Sequence, residues 1–120
     1  MPRLRSALVV LGAAAAVAAP SASAAVPVKL VGTVGPGFTI TLTQGGKKVT
    51  RLKAGTYRLR ITDAATSHAW ALDGPHGYAK DFTTVPFTGT KTFTVMLKKG
   101  TYKYYCPPHE TGMFGNFTVS

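Results

Sequence analysis

The sequence predicts an all-β fold, a single Greek-key β-sandwich, from two patterns that are present and one that is missing. Apolar and polar residues alternate over residues 38–43 and 57–62, and over 90–97 through Phe93, Val95 and Leu97, which indicates strands with one buried face. Glycine and proline recur between the apolar stretches, and no segment repeats apolar residues at helical spacing over three turns. Seven or eight short strands at this length favour a sandwich or barrel, and the Greek key is their commonest arrangement.

The first predicted strands follow from apolar runs that glycine-rich turns interrupt. A β-branched run at residues 28–34 ends at the Gly-Pro-Gly turn 35–37. Phe38, Ile40 and Leu42 then alternate with threonines, so we expect the three apolar side chains to share one buried face.

The remaining strands follow in the same way. A Gly-Gly turn leads to an extended stretch at 47–52, the alternating strand at 57–62 comes next, and residues 67–72 form another short extended stretch. Residues 74–86 contain Gly-Pro, His-Gly and scattered polar residues, which predicts a long irregular connection. Three further strands complete the domain, at residues 90–97, 101–105 and 115–119.

The first 24 residues have the pattern of a secretory signal peptide. Two early arginines precede an apolar run at residues 7–19, and Ala22-Ser23-Ala24 fits the small-x-small cleavage rule. The run is too short to span a bilayer. We therefore predict a signal peptide at 1–24 and one exported, soluble domain at 25–120.

The predicted domain is strongly basic. Without the two arginines of the signal peptide, 12 basic and 4 acidic residues leave a net charge of +8. This charge favours anionic partners such as acidic proteins, cell-wall polymers or lipid headgroups, and plain solubility is the alternative explanation. Nucleic acid is the weaker choice for an exported protein.

Cys106 is the single cysteine of the chain, so it cannot close an intrachain disulfide. An exposed free thiol outside the cytosol tends to oxidise. Metal ligation would protect it, and burial as a small apolar residue is the alternative.

The residues after this cysteine form a set of soft donors. Cys106 lies three residues before His109 and seven before Met113, and this combination suits copper better than magnesium or calcium. A second imidazole could come from His68 or His76. We favour His68, because His76 lies in a Gly-Pro-His-Gly turn that should be exposed. Two imidazoles, one thiolate and an axial thioether are the ligands of a blue-copper electron-transfer site.

The chain resembles the cupredoxins, the small exported plastocyanin/azurin-like copper proteins. The Cys-x2-His-x3-Met segment carries most of the likeness, and the segments around it support it. These segments are 55–57, 63–72, 99–102, 105–113 and 115–119. The resemblance implies one type 1 copper near one end of a Greek-key sandwich. It also implies His68, Cys106 and His109 as equatorial ligands, with Met113 as the weak axial ligand.

One departure from the family pattern lies beside the first ligand histidine. Many relatives have asparagine directly after it, where the side chain helps to tie the ligand loops together. Ala69 stands there in this chain, so that hydrogen bond must be missing or replaced.

The predicted function is one-electron transfer by a protein that is not an enzyme. Four carboxylates and three histidines offer no plausible catalytic set. We expect a monomer without a membrane span, no nucleic-acid partner, and a redox partner with an acidic surface. The alternatives are copper delivery without sustained redox cycling and a metal-free β-sandwich interaction module.

Overall fold

Ten strands in two five-stranded sheets make up the part of the chain that the computed structural model describes, which is residues 26–120 together with Gly12. The predicted signal peptide at 1–24 lies outside the described residues, apart from Gly12. In the described part of the chain, no helix has the length and apolar character that crossing a membrane requires. The strands are β1 (Val28–Val34), β2 (Ile40–Gln44), β3 (Lys47–Lys48), β4 (Arg51–Leu52), β5 (Gly55–Asp63), β6 (Ala71–Asp73), β7 (Ala79–Asp81), β8 (Gly89–Leu97), β9 (Gly100–Tyr105) and β10 (Phe114–Val119).

The two sheets face each other. The first has the strand order β3-β2-β1-β5-β8 and the second has the order β4-β10-β9-β6-β7. The chain crosses from one sheet to the other after β3, β4, β5, β7 and β8, as the strands of a Greek-key sandwich do. The predicted all-β sandwich is confirmed.

The core lies between the sheets and follows from the alternation of the strands. In β5 the side chains of Tyr57, Leu59 and Ile61 are buried, while the residues between them are exposed. Trp70 fills the centre of the core, where its ring stacks on that of Tyr104 with a centroid distance of 5.7 Å and an interplanar angle of 3°. This packing holds the connection before β6, which contains His68, against β9, which Cys106 directly follows.

Phe38 does not lie on the buried face, so that prediction was wrong. Strand β2 begins only at Ile40, and Phe38 remains in the preceding loop with 73% of its surface exposed. The apolar and polar residues do alternate from Phe38, but the backbone pairs with a neighbouring strand only from Ile40 onward, where Ile40 of β2 pairs with Val34 of β1.

Three segments differ in detail from the prediction. The stretch 47–52 divides into β3 and β4, which belong to different sheets, because the buried Val49 turns inward between them. The connection 74–86 is not irregular throughout: it holds a short 3-10 turn and β7, which pairs with β6. The extended stretch 67–72 pairs as a strand only from Ala71 onward.

Candidate metal centre

Three of the predicted ligand residues converge at one end of the sandwich. The Sγ atom of Cys106 lies 3.7 Å from Nδ1 of His68 and 3.7 Å from Nδ1 of His109, and the two Nδ1 atoms are 3.2 Å apart. A point in the plane of this triangle lies about 2.1 Å from all three atoms. Borderline metal ions such as zinc bond imidazole nitrogen at about 2.0–2.1 Å and thiolate sulfur at about 2.3 Å. The three atoms therefore fit one metal ion without rearrangement.

The pairing of β9 with β10 sets the loop that carries two of these residues. The register pairs Tyr105 with Phe114, and the next pair outward is Cys106 with Met113, where the backbone N–H of Cys106 donates to the carbonyl of Met113 over 3.0 Å. Inside the loop, the N–H groups of His109 and Met113 donate to Cys106 and His109 carbonyls, each over 2.9 Å. The short 3-10 turn Pro107–His109 that results directs the His109 ring back toward the sulfur.

Met113 lies in the same buried cluster as Cys106. Its side chain is 1% exposed and that of Cys106 is 0% exposed. A buried thioether on the residue that pairs with Cys106 could supply a weak additional donor to a metal ion held there.

His68 is held by the connection between β5 and β6. The buried Asp63 ends β5 and accepts the N–H of Ala65 at Oδ1 over 3.2 Å, and the N–H of His68 in turn donates to the carbonyl of Ala65 over 3.3 Å. Gly35 packs against the ring from the other side. A Cβ atom at Gly35 would lie 3.0 Å from Cδ2 of His68, and the φ of +71° at this position favours glycine.

Ala69 has no side-chain hydrogen bond to offer, and two other hydrogen bonds tie the His68 connection to its neighbours. The backbone N–H of Ala69 donates to Sγ of Cys106 over 3.4 Å, so the sulfur receives a donor that does not depend on the side chain. The hydroxyl of the buried Thr83 accepts the N–H of Trp70 over 2.9 Å and ties the His68 connection to the segment after β7. Thr83 lies in the stretch that the sequence predicts as irregular, so no sequence signal marks its role.

Phe38 is a second residue that the sequence analysis missed. Its ring stands edge-on to both imidazoles, with centroid distances of 5.5 Å to His68 and 5.2 Å to His109. Because His68 is 2% exposed and His109 is only half-buried, Phe38 covers the side on which the site meets solvent. A large apolar residue directly after a Gly-Pro-Gly turn was the available signal.

His76 lies apart from this group of donors. It is exposed in the 3-10 turn Pro75–Gly77 and has a φ of 58°. Among the described residues, the group of side chains that could hold a metal ion consists of His68, Cys106 and His109, and His76 does not belong to it.

Comparison with known proteins identifies a matching family and solved structures with a similar fold. The family described as copper binding proteins, plastocyanin/azurin family, matches residues 46–120. A structure of rusticyanin from Thiobacillus ferrooxidans is 26% identical, with 78% of this chain and 77% of that chain covered and a TM-score of 0.51. A rusticyanin variant is 26% identical, with 78% of each chain covered and a TM-score of 0.55. A Cu(I) structure of an amicyanin variant is 16% identical, with 77% and 82% covered and a TM-score of 0.51, and it supports the fold alone. No curated protein matches the chain.

Proposed function

Because this chain belongs to the plastocyanin/azurin family of copper-binding proteins, we propose that it carries single electrons between redox partners. Family membership confirms the predicted cupredoxin resemblance and the predicted copper cofactor. The proposal adds the residues that would hold the copper ion: His68, Cys106 and His109, with Met113 as a weak thioether ligand. The observation that supports them most directly is the triangle of two Nδ1 atoms and one Sγ atom with sides of 3.2 and 3.7 Å.

The ligand residues have distinct tasks in this proposal. Copper, when bound, supplies the redox chemistry, because it takes up and releases one electron as Cu(II) and Cu(I). Cys106 holds it as a thiolate, and the N–H of Ala69 stabilises the negative charge on the sulfur. Neutral imidazoles of His68 and His109 would supply the nitrogen ligands, and the buried Met113 would supply a weak thioether ligand.

The frame around the site favours fast electron transfer. Backbone hydrogen bonds close the loop from Cys106 to Met113, and the strands β9 and β10 hold its two ends. Ligands that are fixed before the metal arrives move little when its charge changes, so the energy of reorganisation stays small. We propose no catalytic turnover, because the four carboxylates and three histidines of the chain offer no plausible catalytic set.

The electron enters or leaves through the edge of His109. Of the three converging residues, His109 alone is half-buried while His68 and Cys106 are buried. Phe38 stands beside it and the exposed Pro108 precedes it, so the contact around the ring is apolar. An apolar contact lets a partner approach closely, and the basic charge of the domain would steer a partner with an acidic surface.

The setting of this function is an exported monomer. The proposal rests on the signal-peptide pattern at 1–24 and on the protection of a lone thiol inside the fold, where Cys106 is 0% exposed. Mass spectrometry of the secreted form should give an N-terminus near residue 25, and retention of residues 1–24 would contradict export by cleavage.

Voltammetry of the copper-loaded protein tests electron transfer directly. We expect one reversible wave, and we expect the Met113→Leu variant to retain copper with a shifted potential because the axial ligand tunes it. Loss of copper to a mild chelator within the time of the measurement, without a reversible wave, would instead indicate copper delivery. A protein that binds no copper would be a metal-free interaction module.

A further inference from the structure

The outer face of the first sheet carries four exposed cations. Strands β1 and β5 bury alternate residues, so Lys29, Arg58 and Arg60 point away from the core and are exposed. Lys48 in β3 is also exposed and pairs with Thr43, whose side chain lies on the same face. We call the surface formed by Lys29, Lys48, Arg58 and Arg60 the basic face.

The strand register brings these cations close together. Lys29 pairs directly with Arg58 across the parallel strands β1 and β5, and Val31 pairs with Arg60. Val31 also pairs with Thr43, which places Lys48 and Arg60 in one row across four strands. Neighbouring strands lie about 4.7–4.9 Å apart, so this row is about 14 Å wide.

No carboxylate balances the basic face. The chain has four acidic residues. Asp63 is buried, Asp73 and Asp81 lie in strands of the second sheet, and Glu110 lies in the loop between β9 and β10. The ion pair found within residues 26–120 joins Lys103 Nζ to Glu110 Oε1 over 3.0 Å, and it also lies outside the basic face. Like charges that stand directly opposite on paired strands are destabilising, and a bound polyanion would relieve this repulsion.

Most of the uncharged residues beside the four cations are threonines, and the half-buried Val31 and the exposed Met96 also lie on this face. Arg58 pairs with Thr94 and Arg60 with Thr92 on β8, and the hydroxyls of Thr62 and Thr90 lie 3.2 Å apart on the same face. Hydroxyls both donate and accept hydrogen bonds, and guanidinium groups bind carboxylates through two parallel N–H donors. A sheet surface with this chemistry matches an extended polymer that carries both hydroxyls and carboxylates.

We propose that the basic face binds linear acidic polysaccharides. Two arginines on one strand would hold successive carboxylates, and the threonines would bond to sugar hydroxyls. An anionic membrane is the less suitable partner, because interfacial binding uses Trp, Phe or Leu side chains, and the strand residues beside the cations are threonines, Val31 and Met96. The basic face is also separate from the copper ligands, none of which lies in a strand of the first sheet, so binding leaves the metal site free.

Binding of the copper-loaded protein to polygalacturonate tests this proposal, with neutral dextran and phosphatidylglycerol vesicles as competing probes. The Arg58→Gln/Arg60→Gln variant removes two cations from the basic face. The Lys98→Gln/Lys99→Gln variant removes two exposed cations from the turn between β8 and β9 and has the same net charge. Unchanged visible absorption of each variant shows that the copper site is intact.

We expect the arginine variant to bind polygalacturonate about five- to thirtyfold more weakly, since two surface ion pairs of up to about 1 kcal/mol each are lost. The lysine variant should change binding less than about twofold, and added salt should weaken binding of every form. Equal losses in the two variants would show that net charge alone attracts the polymer and would overturn the proposal. Stronger, arginine-dependent binding to the vesicles, or equal binding to dextran, would overturn it as well.

Discussion

Substituting Gly35 by alanine should disturb both the fold and the copper site. A residue other than glycine at a φ of +71° costs about 1–2 kcal/mol. The new Cβ would also lie 3.0 Å from Cδ2 of His68 and 3.2 Å from Cβ of Ala65, so the His68 ring must move by a few tenths of an ångström. We expect the metal-free variant to lose about 1–3 kcal/mol of unfolding free energy. At roughly 4–8 °C per kcal/mol, the midpoint temperature should fall by about 5–20 °C.

Gly37 provides a matched control in the same loop. Its Cβ would meet nothing within 4 Å, and its φ lies outside the left-handed region, so Gly37→Ala should change the unfolding free energy by less than about 0.5 kcal/mol.

Comparing thermal unfolding with and without copper separates the effect of Gly35→Ala on the stability of the fold from its effect on the copper site. If His68 binds the metal, displacement of its ring weakens copper binding, and each tenfold loss of affinity removes about 1.4 kcal/mol of the stabilisation by copper. Thermal unfolding should therefore show a larger gap between Gly35→Ala and the unmodified protein with copper than without it. Equal midpoints for Gly35→Ala and Gly37→Ala in both forms would refute the role of Gly35. An equal gap with and without copper would refute the link to His68.

Further substitutions address the surroundings of the site. Phe38→Ala should admit water to the imidazoles and lower the reduction potential, which voltammetry against Phe38→Leu would measure. An unchanged potential would show that Phe38 does not shield the site. Thr83→Val should leave the buried N–H of Trp70 without an acceptor and cost about 1–3 kcal/mol in urea unfolding. A loss below about 0.5 kcal/mol would contradict this. Burial and a 3.1 Å hydrogen bond to Asp73 raise the pKa of Tyr105 to about 12. The protonated Tyr105 hydroxyl therefore stabilises the fold fully below pH 10, and this stabilisation is lost as the pH rises toward 12. Ultraviolet titration should show a lower pKa in Asp73→Asn.

Sequence periodicity was sufficient for most of the fold. The alternation in β5 records directly which side chains are buried. In β8 it marks Val95 and Leu97 as buried, although Met96 between them is apolar and exposed, and the structure places the two strands side by side in the first sheet. It was insufficient for Phe38, because an isolated apolar residue beside a turn has the same pattern whether it continues a strand or covers a neighbouring site. It was also insufficient for Val49, whose inward turn divides one predicted strand between two sheets.

The local part of the site was predictable and the distant part was not. Cys106, His109 and Met113 share one short loop, so their spacing alone suggested a common centre. His68 could be selected only by comparison with His76, and the structure brings His68 to the sulfur and leaves His76 exposed. The roles of Gly35 and Thr83 depend on contacts between segments far apart in the chain, which spacing does not report.

Ligation of copper by the Cys106 thiolate is tested most directly by copper titration of the protein and of its Cys106→Ser variant. Visible absorption and electron paramagnetic resonance follow the titration. Cys106 is fully buried and lies 3.7 Å from both imidazole nitrogens. One equivalent of Cu(II) should therefore give an intense blue band and a thiolate-type resonance that the folded serine variant lacks. The same band and resonance in the variant would contradict ligation by Cys106.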